Sequence, residues 1–178
     1  MSERDRFDGW RVDESSFPGE GPLAERLRFL VRYAVLAPSS HNTQPWRFRV
    51  CGQRVDVLAD HSRRLRIADA DQRELHLSIG CSVENLLVAA EHFGLGHSVA
   101  FFPQADDASL AASIEFKDGA TRSPYRSKVL FEMIPVRHTN HGRYEPRPIP
   151  AEVIEQLQAV CVEQEVRLYL NSDENFKQ

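Results

Sequence analysis

The chain has 178 residues, 42% of them hydrophobic, and its 22 Lys and Arg against 26 Asp and Glu leave a formal net charge of −4. This suits one soluble globular domain of ordinary size, and the acidic excess offers no electrostatic footprint for nucleic acid. No apolar run is long enough to span a bilayer, and Met1 to Glu20 lacks the apolar stretch of a secretory signal.

Residues 1–20 mix charges with Gly, Ser and Pro and show no period, so they read as a mobile arm. From Pro22 to Ala37, Leu23, Leu27, Leu30, Val31, Ala34 and Val35 recur at helical spacing, with Pro22 suited to the first helical position. Pro38 cannot continue that helix. The next stretch, Ser39-Ser40-His41-Asn42-Thr43-Gln44-Pro45, gathers hydroxyls, two carboxamides and an imidazole with no formal charge when His41 is neutral. Gln44, placed before a proline, is predicted to be extended. Such a loop offers donors and acceptors to a flat, neutral, polar-edged ring, and Trp46 can anchor it on the core. A plain helix-to-strand turn has much the same composition.

Trp46, Phe48 and Val50 then alternate with Arg47 and Arg49, and Val55, Val57 and Ala59 alternate beyond Cys51-Gly52-Gln53, which predicts a hairpin with one buried face. Asp60 to Asp71 reads as a solvated crossover. Gln72 to Phe93 is apolar on most sides, as a central buried helix would be, and Gly94-Leu95-Gly96 stops it. Strand character follows at His97 to Phe102 and Ala112 to Lys117. Ser123-Pro124 can cap a short helix carrying Val129, Leu130, Met133 and Ile134. Pro150 opens a further helix, Val166 to Leu170 reads as a strand, and Ser172-Asp173-Glu174 as a helix start that nothing terminates. Cys51, Cys81 and Cys161, odd in number and far apart, read as buried thiols in a reducing compartment, which makes the cytoplasm the default location.

A second informative stretch is Arg137-His138-Thr139-Asn140-His141-Gly142-Arg143-Tyr144, followed by Pro148-Ile149-Pro150. Two guanidiniums among hydroxyl and amide neighbours make a cradle for phosphate oxygens, although a basic surface turn before a helix would read the same way. Among other cofactor signatures, no Gly-x-Gly-x-x-Gly and no Gly-x-Ser-x-Gly occurs. A built-in Rossmann site and an α/β-hydrolase elbow are therefore not indicated. The histidines lack the cysteine or carboxylate clusters of a metal site, so no metal is expected.

Pro-Ser, a short gap, Asn, one residue and Gln-Pro-Trp resembles the flavin-contacting loop of the nitroreductase family. Ser39-Ser40-His41-Asn42-Thr43-Gln44-Pro45-Trp46 is similar in particular to the atypical, Acg-like branch. Arg137-His138-Thr139-Asn140 resembles the phosphate-binding opening of that branch. His141-Gly142 departs from its arginines, Arg143 falls one residue late, and only Gly142 could re-aim the backbone to compensate.

The resemblance implies an α+β nitroreductase-like fold, a mainly antiparallel sheet flanked by helices. Residues 21–133 would form a first repeat and 134–178 the start of an incomplete second, as in a dimer fused into one chain. It further implies FMN held by Pro38, Ser39, Ser40, Asn42, Gln44, Arg137, Thr139, Asn140 and Arg143, with the flavin rather than a protein side chain carrying the catalysis. NAD(P)H would be the transient electron donor, and nitroaromatics, quinones or similar small molecules the acceptors. Two functions stay open, an FMN-dependent oxidoreductase and a flavin-sequestering protein without turnover. Partners would be small molecules, or a second chain as a homodimer or through the central helix, with neither nucleic acid nor membrane.

Overall fold

A computed structural model describes residues 11–119, 123–143, 145, 147–159 and 167–171. In chain order the elements are α1 (Leu23–Ala34), β1 (Trp46–Cys51), β2 (Arg54–Ala59), α2 (Arg73–His92), β3 (Leu95–Phe101), β4 (Leu110–Asp118), α3 (Lys128–Met133) and α4 (Ala151–Ala159). The four strands form one antiparallel sheet in the order β1-β2-β4-β3. The class is α+β, as the sequence predicts.

The β1–β2 hairpin closes over the Gly52-Gln53 turn, with Cys51 opposite Arg54 and Gly52 at φ 60°. Val55, Val57, Ala112, Ile114 and Phe116 are buried in the same core as Leu27, Leu30, Leu86 and Leu87 from α1 and α2. Each such side chain contributes about 2 kcal/mol of hydrophobic burial. Off that core, Asp56 accepts from Arg49 at 2.8 Å and from Ser113 Oγ at 2.8 Å.

α2 is fixed at both ends. The Asp69 carboxylate accepts the Glu74 and Leu75 N–H groups, each at 2.9 Å, and Gly94, at φ 77°, ends the helix. Its burial is one-sided in the first half, where Leu75, Ile79 and Val83 are buried and Leu77 is 59% exposed, and all-round from Leu86 to Glu91, as the sequence suggests.

Other expectations need correction. Pro22 is the residue before the helix, not its first member, and α1 ends at Ala34, three residues early. The cap of α3 is Ser127, whose hydroxyl accepts from Leu130 N; Ser123 serves elsewhere. Part of the N-terminal arm is built into the fold: Asp13 caps a 3-10 turn and Phe17 stacks on Phe93 at 4.0 Å. Cys51 and Cys81 are exposed thiols, because one sits at the hairpin end and the other on the outer face of α2. Residues 167–170 are not a strand. Cys161 and the 172–174 helix start lie outside the described residues.

The chain divides into two compact units, Met1–Thr139 and Asn140–Gln178. The first holds α1 to α3 and the sheet; the second holds α4, where Val153 and Leu157 are exposed.

Candidate functional site

The loop after α1 is folded tightly on itself. Asn42 N donates to Ser39 O at 2.9 Å, Thr43 N to Ser40 O at 3.1 Å, and Gln44 N to the Ser39 hydroxyl at 2.9 Å. Thr43 Oγ1 donates to Ser40 O at 3.0 Å. His41, Asn42 and Gln44 all have left-handed backbones, at φ 51°, 54° and 48°. Gln44 is therefore not extended as predicted. Pro45 bars the right-handed helical region, and the Ser39 hydroxyl captures the Gln44 N–H only when the chain turns back on itself. Three non-glycine residues held at positive φ amount to stored strain, of the kind that gathers at ligand sites. The carboxamides of Asn42 and Gln44 make no hydrogen bond among the described residues and stay available.

A polar stripe on α2 holds this loop and the end of α1. Ser82 Oγ donates to Ala34 O at 2.9 Å, Asn85 Nδ2 to Tyr33 O at 3.2 Å, and Ser40 N donates to Ser78 Oγ at 3.3 Å. Residues 78, 82 and 85 stand one and two helical turns apart, so they share a face. Ser82 and Asn85 add a second donor to the Ala34 and Tyr33 carbonyls, which already accept from Ala37 N and Leu36 N, while Ser78 accepts from the loop. Sequence reasoning missed this stripe; the signal was polar residues at i, i+4 and i+7 inside an apolar helix.

Arg137 arrives at the same place from the far end of the first unit. Its Nη2 reaches Leu36 O and its Nη1 reaches Thr139 Oγ1, both at 3.5 Å, the outer limit of a hydrogen bond. Its Nε is buried with no partner among the described residues. The guanidinium thus sits beside the start of the loop, held only weakly. Asn140 and Arg143 belong to the second unit, where Asn140 Oδ1 accepts the Gly142 N–H at 2.8 Å. Tyr144 lies outside the described residues.

The segment that delivers Arg137 is tied down by Glu91, also missed from the sequence. Its carboxylate accepts from Ser123 N at 2.7 Å, Arg126 Nη1 at 2.9 Å and His97 Nε2 at 3.0 Å. Arg126 also grips Glu84 through two bonds of 2.7 and 2.9 Å. Burial alone would raise the Glu91 carboxyl, but the Ser123 amide, His97 and Arg126 hold it below the ordinary glutamate range.

The outer face of α2 opens into an apolar groove of ≈ 620 Å³, where Leu77, Gly80 and Cys81 face Phe101, Phe102 and Ala111. Phe102 is left-handed at φ 45°, and its ring meets His76 edge-on at 5.6 Å. Cys81 lines this groove: partial burial pushes its thiol up, and the Arg137 charge acts against that. Among the described residues no group of three or more His, Cys, Asp or Glu is placed to hold a metal, and no helix is long and apolar enough to cross a membrane.

No family model matches the chain. A Mycobacterium tuberculosis H37Rv protein named “Putative NAD(P)H nitroreductase” is 37% identical over 130 residues, 72% of this chain. A second protein of that organism, “Putative NAD(P)H nitroreductase acg”, is 34% identical over 90 residues, covering 51% of this chain and 27% of its own length. Over those stretches the chain is a homologue of these proteins named as nitroreductases, Acg among them. Its antiparallel sheet flanked by helices is the α+β arrangement that this resemblance leads one to expect. The matched stretch is 37% of the first relative's length, so the chain spans well under half of this nitroreductase. Among solved structures, a Desulfovibrio desulfuricans protein described as a “putative nitroreductase in complex with fmn” is 22% identical with a TM-score of 0.42, covering 55% of this chain and 78% of that one. A Clostridium acetobutylicum “Putative NADH Oxidase” is 18% identical with a TM-score of 0.43, covering 55% and 78%.

Proposed function

We propose that this chain forms part of an FMN-dependent oxidoreductase that passes electrons from NAD(P)H to nitroaromatics, quinones or similar acceptors. One observation carries the reading. The buried Arg137 Nε has no partner among the described residues, and the guanidinium lies beside a strained loop whose Asn42 and Gln44 carboxamides are uncommitted. A buried polar group without a partner costs about 1–3 kcal/mol, so a phosphate-bearing, amide-edged ligand fits the vacant bonding capacity here.

In this reading Arg137 and Thr139 bind the phosphate. Ser40, Asn42 and Gln44 orient the ring edge, while Pro38 and Ser39 fix the loop's shape. Bound flavin would supply two-electron redox chemistry, and the protein's part is binding, orientation and control of water access. The groove lies on the same helix, α2, whose Ser78 holds the loop.

Equilibrium dialysis of the full chain against FMN tests the proposal. The expected result is stoichiometric retention that falls about tenfold in Asn42→Ala and further in Arg137→Ala. Anaerobic NADPH should then bleach the bound flavin. Retention without bleaching would instead mark a flavin-sequestering protein, and unchanged retention in both variants would remove these residues from the site.

A further inference from the structure

The crossover between β2 and α2 carries a second set of uncommitted charges, next to the strained loop but apart from Arg137. Asp60 shares one carboxylate oxygen between Arg47, at 2.9 Å, and Arg63, at 3.5 Å. Arg63 Nη1 also donates to Thr43 O at 3.3 Å, which fixes this segment to the loop. Arg64 lines a crevice with Ser40 and Thr43. Arg64 and Arg66 are exposed, and among the described residues neither guanidinium has a hydrogen bond or ion pair, the Arg64 backbone N–H alone donating to His61 O at 3.4 Å. Asp69 also borders the crevice, but its two oxygens are occupied by the Glu74 and Leu75 N–H groups of α2. Arg47 and Arg63 thus share the Asp60 carboxylate, and the guanidiniums of 64 and 66 follow them on the same segment, in a chain whose overall charge is −4.

Guanidinium forks match phosphate oxygens and stay charged at every working pH, and a phosphate monoester carries close to two negative charges near neutrality. A monoester that approaches the Ser40–Thr43 turn meets Arg63, already braced by Asp60, and two arginines with no competing partner. Ile67, 98% exposed beside them, gives an apolar surface for a flat base.

We propose that Arg63, Arg64 and Arg66 bind the 2′-phosphate of the nicotinamide nucleotide donor and so select NADPH over NADH. The proposal rests on the oxidoreductase reading for the identity of the nucleotide, but the phosphate site itself does not need bound flavin.

The test is calorimetric titration of the full chain with 2′,5′-ADP, 5′-AMP and inorganic phosphate, for the native sequence and Arg64→Ala/Arg66→Ala. The expected result is binding of 2′,5′-ADP well above 5′-AMP, weakened about tenfold or more in the double variant and by added salt. Equal affinity for the two nucleotides, or no change in the variant, would overturn the proposal. So would displacement of 2′,5′-ADP by inorganic phosphate at equal concentration, which would mark a free-phosphate site. Flavin retention is read on the same samples. Flavin kept with no 2′,5′-ADP preference rejects this inference alone, whereas the preference without flavin rejects the oxidoreductase reading and leaves the phosphate site standing.

Discussion

Asp69 and Glu91 show how single carboxylates fix the elements around the loop after α1. Asp69 closes the first turn of α2 through two N–H groups. Asp69→Ala should cost about 1 kcal/mol, read as a lower urea midpoint at unchanged slope. Glu91 is 3% exposed and meets three donors. Removing it leaves Arg126 and His97 without their shared partner, so Glu91→Ala should cost about 3 kcal/mol. The pH dependence follows from the depressed Glu91 carboxyl. Its folded value lies below its ordinary value of 4.5, so its contribution is fully present above that range and drains away as pH falls through it. Acid titration of stability should therefore be flatter below about pH 5 in Glu91→Gln than in the native chain. Equal slopes would mean that the clasp does not form.

At the scale of elements, α2 works through two neighbouring faces. Ser78, Ser82 and Asn85 hold the end of α1 and the loop, while Leu77, Gly80 and Cys81 line the groove. Ser82→Val should remove the shorter of the two hydrogen bonds to Ala34 O, leaving Ala37 N at 3.2 Å, and cost about 1 kcal/mol, which thermal unfolding would register. Leu77→Ser, on an exposed position, should stay within about 0.5 kcal/mol.

The hairpin was legible in the sequence because one side chain in two must be apolar to meet a core, and Val55 and Val57 obey that period. The glycine stop at Gly94 was legible because few other residues accept its backbone. The left-handed Gln44 was not, since the rule for residues before proline says nothing of a serine hydroxyl five positions back. Nor were the Glu91 clasp and the Arg137–Leu36 contact, whose partners lie 32 and 101 residues apart for Ser123 and Leu36. Of the candidate site, the loop stood out by residue order; the bonds that shape it are long-range and invisible to any local pattern.

For the whole molecule, the first unit is a packed α+β layer structure that, among the described residues, carries a strained polar loop and an uncovered apolar groove. Exposed apolar surface of this kind favours association. Sedimentation should show self-association of the chain that rises with concentration and weakens in Leu77→Glu, a change that puts a charge in the groove. The central claim is that the loop and Arg137 together hold FMN. The most direct test is the visible flavin absorbance retained after FMN is added and the excess removed, with the native chain beside Arg137→Ala. Stoichiometric flavin in the native chain and little in the variant is the predicted result; equal flavin in both, or none in the native chain, would contradict it.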